Sequence, residues 1–209
     1  RLALIQEDGK PFGEEYTLVA VADYILRKRK GNAVSNLSST RALRDVTEKA
    51  KGKYYAAAVG EVNVVTKMKE TKAVIGGEGN GGIIVPDFHY GRDALIGIAL
   101  FLTHLAKSKL KVSELRKTYP AYFISKNKIE LTPQINVDQV LEKVKQKYAS
   151  EKINAIDGVK IDFESEKEWV HLRKSNTEPI IRIYAESQNE KKAIQLAQRI
   201  INDIKNIIS

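Results

Sequence analysis

The chain has 209 residues, room for one large domain or two small ones, each with a real core. A composition of 43% hydrophobic and 29% charged residues excludes a disordered or fibrous chain, and the lack of cysteine excludes a disulfide scaffold, thiolate catalysis and cysteine-ligated metal centres. The formal charge of +9 divides into +8 over residues 1–130 and +1 over residues 131–209, which predicts two electrostatically distinct parts.

In chain order, Leu2–Gln6 reads as a strand entering a hairpin at Asp8-Gly9. Apolar residues at Leu18, Val21, Ala22, Ile25 and Leu26 predict a helix over 14–30, with Arg27-Lys28-Arg29-Lys30 complementing its dipole and Gly31 supplying the C-terminal left-handed residue. Strands are predicted at Ala33–Leu37, Tyr54–Val59, Ala73–Ile75 and Ile83–Val85. Helices are predicted at 41–51, over a short segment ending at Lys69, at Ala94–Lys107 behind an Asp93 cap, and at Val112–Tyr119. This alternation indicates an α/β domain with a largely parallel sheet.

Near Lys126–Pro133 the pattern changes. A helix over Val137–Tyr148, a hairpin of Gly158–Phe163 with Trp169–Arg173, a strand over Ile180–Glu186 and a closing helix from about 189 to 208 describe a smaller α+β domain. The boundary is expected near Lys128. No run of apolar residues approaches the ~20 needed to span a bilayer. The chain opens at Arg1 without a methionine or a signal-peptide pattern, so a cytoplasmic piece of a longer protein is expected.

Two segments carry chemistry. Gly76-Gly77-Glu78-Gly79-Asn80-Gly81-Gly82 satisfies a G-x-G-x-x-G spacing, but a dinucleotide fingerprint must open a helix, and Ile83-Ile84-Val85-Pro86 follows instead. What remains is either a loop presenting Glu78 and Asn80 to hydroxyl groups or a glycine-rich turn between strands. Arg173-Lys174-Ser175-Asn176-Thr177-Glu178-Pro179, with Arg182 beyond it, joins two guanidinium groups to hydroxyl, amide and backbone donors. That is phosphate-binding chemistry, or else an Asn/Ser/Thr turn between surface arginines.

The three histidines are too scattered for a metal site. His104 is expected to pack in a helix and His171 to point to a surface; His89 is placed to line the pocket of the glycine loop. Trp169 reads as core, and the dispersed tyrosines give no stacking platform for nucleic acid.

Together and in this order the segments resemble the α-D-phosphohexomutases, the phosphoglucomutase, phosphomannomutase and phosphoglucosamine mutase superfamily. Arg173-x-Ser175-Asn176-Thr177-Glu178-Pro179 with Arg182 is similar to the phosphate loop of that family's fourth domain. Gly77-Glu78-Gly79-Asn80-Gly81-Gly82 is similar to the sugar-binding G-E-x-S-G-H loop of its third, with Asn80 in place of serine and Gly82 in place of histidine. Val59-Gly60-Glu61 resembles the V-G-D segment that borders the cleft, and Arg1 with Gly13-Glu14-Glu15-Tyr16 resembles the sequence following the metal loop.

The resemblance implies residues 1–12 as the end of family domain two, 13–127 as an α/β sugar-binding domain and 128–209 as an α+β phosphate-binding domain hinged at Lys126–Pro133. It implies a phosphomannomutase or phosphoglucomutase type of enzyme that interconverts hexose 1- and 6-phosphates through a phosphoserine and a bisphosphate. A phosphoglucosamine mutase and a non-catalytic phosphosugar-binding module are the alternatives. The phosphoserine and the Mg²⁺ loop would lie upstream, in N-terminal domains that are this chain's expected partners, leaving it inactive alone with no catalytic residue or metal of its own.

Glu78, Asn80, Arg173, Ser175, Asn176, Thr177 and Arg182 would then bind substrate, with Gly60, His89 and Arg92 as further candidates; His89 or Arg92 could stand in for the missing histidine. Neither nucleic acid nor membrane is an expected partner. The basic residues are spread through helices, and the loop arginines suit one phosphate better than a backbone track.

Overall fold

The computed structural model describes residues 1–132, 135–175 and 180–208. It divides into two compact units, Arg1–Ala121 and Tyr122–Ser209.

The first unit runs through α1 (Glu14–Lys28), β1 (Asn32–Asn36), α2 (Ala42–Lys49), β2 (Tyr54–Ala57), α3 (Glu61–Thr71), β3 (Ala73–Glu78), β4 (Gly82–Ile84), α4 (Ala94–Ser108) and α5 (Val112–Lys117). Its sheet has the order β2-β1-β3-β4, with β1 parallel to β2 and β3 and only β4 antiparallel. Successive strand residues face opposite sides, and β3 shows what covers each. A Cβ on Gly76 would strike Met68 of α3, and one on Gly77 would meet Leu18 of α1, so a helix lies on either face. On the α3 side Val34, Ala57, Val64, Met68, Ala73 and Ile84 form a continuous core.

Helix α1 is buried nearly all round because it packs against β3, α2 and α4. It ends at Lys28 with Arg29 extended, so Gly31 does not cap it; Gly31 instead admits Val74, whose side chain would meet a Cβ at 2.5 Å. Residues 1–12 group with this unit. Their expected strand is reduced to one antiparallel bridge, Ile5 to Pro11, and Phe12 packs edge-on against Phe101.

Between α1, α4 and the end of α5 lies a buried polar cluster. The Arg27 guanidinium holds Asp23 at 2.8–2.9 Å, Tyr119 donates its hydroxyl to Asp23 at 3.3 Å, and His104 Nε2 lies 2.9 Å from that hydroxyl. His104 is therefore packed and satisfied, as its helical position predicts. Burial and the neighbouring carboxylate push the Tyr119 phenol well above its ordinary range.

The second unit comprises β5 (Phe123–Glu130), α6 (Val137–Lys147), β6 (Lys152–Asn154), β7 (Val159–Phe163), β8 (Glu168–Lys174), β9 (Ile180–Ser187) and α7 (Glu190–Ile208). Its sheet is wholly antiparallel in the order β5-β9-β8-β7-β6. Helices α6 and α7 pack on one face, where Ile129, Ile161, Val170, Leu172, Ile181, Ile183 and Ile200 join the core.

Strand β5 was not anticipated, and it occupies most of the expected hinge; the division between units falls at Ala121, ahead of the predicted Lys128. Of the positions in phase with the buried Ile129, Ser125 and Asn127 are polar and Phe123 is exposed at the strand's start, so the period-2 signal is weak, while Lys126, Lys128 and Glu130 suit an exposed edge. Among the described residues no helix is long and apolar enough to cross a membrane.

Candidate functional site

In a parallel sheet, ligands gather beyond the carboxyl ends of the strands. That end of the first unit is where β1 stops at Asn36, β3 at Glu78, and β2 leads into Gly60 at the start of α3. Glu78 is the last residue of β3 rather than part of a free loop, and it is only 6% exposed. Asn36 donates Nδ2 to Glu78 Oε1 at 3.0 Å, while its own Oδ1 accepts from Ser38 N and Ser39 Oγ at 3.0 and 3.1 Å. Ser39 Oγ in turn accepts the backbone N–H of Gly79 at 3.0 Å. Asn36, at the end of β1, thus holds one oxygen of the carboxylate, and Ser39 in the turn beyond it holds the backbone that follows Glu78.

The glycines around Glu78 serve close approach. A Cβ on Gly79 would overlap the carboxylate of Glu15, which accepts Thr40 N at 2.8 Å and so ties α1 to the start of α2. A Cβ on Gly82 would sit 2.8 Å from Cδ of Arg92. The volume that a histidine at position 82 would enter is occupied by that arginine, whose Nη1 reaches to 3.6 Å from Glu78 Oε2. Arg92 is fixed in place by Glu61, the first residue of α3, which accepts both its backbone N–H and its Nε at 2.9 and 2.8 Å. Those bonds hold the Glu61 carboxyl below its usual range.

His89 is engaged elsewhere. Gly91 N donates to its Nδ1 at 3.0 Å, which leaves the proton on Nε2 to be donated to Asp93 Oδ2 at 3.0 Å; Asp93 meanwhile caps α4 through Leu95 N and Ile96 N. Of the two substitutes expected for the histidine, the structure brings Arg92 to Glu78. Asn80 lies on the β3–β4 turn with Oδ1 buried and without a hydrogen-bond partner among the described residues. Gly60, at φ 120°, is the N-cap of α3 and adjoins Glu61.

The second unit places the arginines. β8 and β9 pair in register so that Arg173 lies directly across from Arg182, both on the face away from α6 and α7. Ser175 is 7% exposed, and its backbone N–H donates to Ile180 O at 3.0 Å, closing the connection between the strands. Arg173 Nε stands 3.7 Å from Asp157 Oδ1. Asn176 and Thr177 lie outside the described residues.

His171 departs from expectation. It is 2% exposed and Nε2 donates to Asp157 O at 2.6 Å, because β8 is covered on both faces over Trp169–Leu172 and strand alternation alone does not reveal that. Trp169 is fully buried, but on the face opposite the apolar core, with Nε1 donating to Glu186 Oε1 at 2.6 Å and Lys160 Nζ 4.0 Å from its ring.

Sequence reasoning missed Asn36 and Ser39, and it placed Glu61 at the cleft without its bond to Arg92. The available signal was positional, since all three stand where a parallel strand gives way to the next helix. Among the described residues no group of three or more His, Cys, Asp or Glu side chains is placed to hold a metal ion.

Comparison with known proteins adds to this geometry. Residues 13–122 match the model for "Phosphoglucomutase/phosphomannomutase, alpha/beta/alpha domain III", and residues 127–203 that for "Phosphoglucomutase/phosphomannomutase, C-terminal domain". A phosphoglucomutase/phosphomannomutase of Thermococcus kodakarensis is 37% identical over 92% of this chain and 42% of its own length. A phosphoglucosamine/phosphogalactosamine mutase of Sulfurisphaera tokodaii is 34% identical over 84% of this chain and 38% of its own. The chain therefore spans less than half the length of these relatives. The crystal structure of a phosphoglucomutase/phosphomannomutase family protein from Burkholderia thailandensis shares the fold, with a TM-score of 0.78 at 20% identity over 98% of this chain and 44% of that one.

Proposed function

The chain belongs to the phosphoglucomutase/phosphomannomutase family, and we propose that it is the part of a phosphohexomutase that recognises a hexose phosphate. The observation that carries this reading is the pairing of Arg173 with Arg182 across β8 and β9, two guanidinium groups on one face beside a closed connection. Forked N–H donors fixed a strand spacing apart suit the non-bridging oxygens of one phosphate, and the buried Ser175 adds a hydroxyl.

In the first unit the Glu78 carboxylate accepts from sugar hydroxyls. Among the described residues its second oxygen carries only the 3.6 Å approach of Arg92, and the Asn80 side chain offers a neighbouring acceptor. Arg92 takes the place of a histidine as the donor beside Glu78. Phosphoryl transfer depends largely on positioning and charge stabilisation, and these residues provide positioning: they orient hydroxyls and clamp the phosphate that is not reacting.

The phosphoserine that donates to the sugar belongs, on this reading, to another domain of the longer enzyme, and the chain alone does not turn over. A related structure, N-acetylphosphoglucosamine mutase from Aspergillus fumigatus, was solved with GlcNAc-6P and magnesium. The described residues here offer no donor set for such an ion, so no step is assigned to it in this chain.

The altered turn at Asn80 and Gly82 makes no choice among hexose phosphates; the Thermococcus relative's name favours glucose and mannose phosphates, and the Sulfurisphaera relative's name makes glucosamine phosphate the alternative. Calorimetric titration of glucose, mannose and glucosamine 6-phosphates into the chain tests this. Binding of at least one in the micromolar to millimolar range, lost in Arg173→Ala, is expected; unchanged affinity in that variant removes the phosphate assignment.

A further inference from the structure

On the face of the second sheet away from its helices, the register aligns three cations rather than two. Lys128 of β5 pairs with Arg182 of β9, and Arg182 pairs with Arg173 of β8, so Lys128, Arg182 and Arg173 form one cross-strand row. Directly opposed residues in antiparallel strands lie about 4.5–5.5 Å apart at Cα, and like charges so placed repel. The neighbouring carboxylates compensate only in part. Asp157 approaches Arg173 to 3.7 Å, and Glu130 approaches Lys128 to 3.0 Å with side chains that are 75% and 59% exposed respectively. An ion pair so exposed contributes little and exchanges partners readily.

We propose that Lys128 is a third cation of the phosphate clamp, and that its ammonium leaves Glu130 to pair with the bound phosphate. The inference rests on the assignment of Arg173 and Arg182 given above and extends it to a residue outside the Arg173–Arg182 segment. The charges support it. A phosphate monoester carries about −1.5 to −2 near pH 7, and three cations offset by Asp157 leave two positive charges, matching that dianion more closely than two arginines would. A lysine suits the outer position, where a mobile ammonium can follow a phosphate held by planar guanidinium forks.

The probe is inorganic phosphate, titrated by calorimetry into the 209-residue chain at low ionic strength. Lys128→Gln is expected to raise Kd about threefold and Lys128→Arg to restore it, the size of one exposed charge contact. Glu130→Gln is expected to lower Kd. Lys126→Gln removes the same charge two residues along β5 on the same face, beside Tyr184. Its Kd is expected to stay near the parent value, and equal weakening in Lys126→Gln and Lys128→Gln reduces the effect to net charge and overturns the proposal. An unchanged Kd in Lys128→Gln, with loss in Arg173→Ala, overturns the third cation while leaving the arginine clamp standing. An unchanged Kd in Arg173→Ala overturns the clamp and this inference with it.

Discussion

Arg92 Nη1 lies 3.6 Å from Glu78 Oε2, and the same side chain runs through the space that any side chain at position 82 would claim. A histidine and an arginine cannot share that volume, so the residue at 82 and the course of Arg92 are coupled. Arg92→Ala is expected to weaken hexose phosphate binding about threefold to tenfold, the cost of one charge-assisted hydrogen bond. Gly82→His alone should also weaken it by displacing Arg92, whereas Gly82→His with Arg92→Ala should bind better than either single variant. Additive losses in the double variant would show that the two positions act independently.

Hydroxyl and phosphate recognition should be separable. Glu78→Gln is expected to reduce affinity for glucose 6-phosphate about tenfold while leaving inorganic phosphate binding intact, and Arg173→Ala to reduce both, since removing a hydrogen-bonding partner of a polar ligand costs roughly 1–3 kcal/mol. Parallel calorimetric titrations with the two ligands decide it. A loss of phosphate affinity in Glu78→Gln would contradict the division of labour.

Asn36 touches no proposed ligand, yet it fixes Glu78 and the turn that holds Gly79. Asn36→Ala leaves a buried carboxylate with one bond fewer and is expected to destabilise the fold by about 1–3 kcal/mol. Asn36→Asp places a second carboxylate about 3 Å from Glu78 in place of a donor and should cost more than Asn36→Ala at neutral pH. Chemical denaturation of both variants measures this.

Burial pushes the His171 imidazole down to about 4, against a weaker opposing effect of its bond to Asp157 O. The unfolded chain then binds more protons than the folded one between about pH 6.5 and 4, so stability is complete above that window and falls as pH drops through it. The slope approaches about 1.4 kcal/mol per pH unit for one such group. His171→Gln should flatten the denaturation midpoint across this range. A variant with the parent slope would place the acid sensitivity in other groups.

Much of the architecture was legible because long periodic segments dictate it. The apolar stripe of α7 and the alternation of strands with helices through residue 108 needed no tertiary information. Glu78, Arg173 and Arg182 stand out as candidates in the sequence because their neighbours are unusual: glycines packed around a lone carboxylate, arginines around a run of hydroxyls and an amide. Asn36 and Ser39 were not, because a polar residue at a strand end is ordinary until a partner arrives from 42 or 40 positions away. His171 was misread because alternation says which residues share a face but not whether that face is open. β5 escaped notice because an edge strand can consist mostly of lysines and small polar residues.

The pairing of Arg173 with Arg182 has a further consequence for how such a site can change. The separation of these two charges is set by the ladder between β8 and β9 and by the Ser175–Ile180 bond, not by the chemistry of the residues that join the strands. Substitutions within that connection can alter which ligands are welcome without moving either guanidinium. Slipping the pairing by a single residue is different, because it would turn one arginine inward among Leu172, Ile181 and Ile183 and break up the pair of cations. Changes at this end of the fold that keep the two guanidinium groups side by side are therefore confined to steps that preserve strand parity.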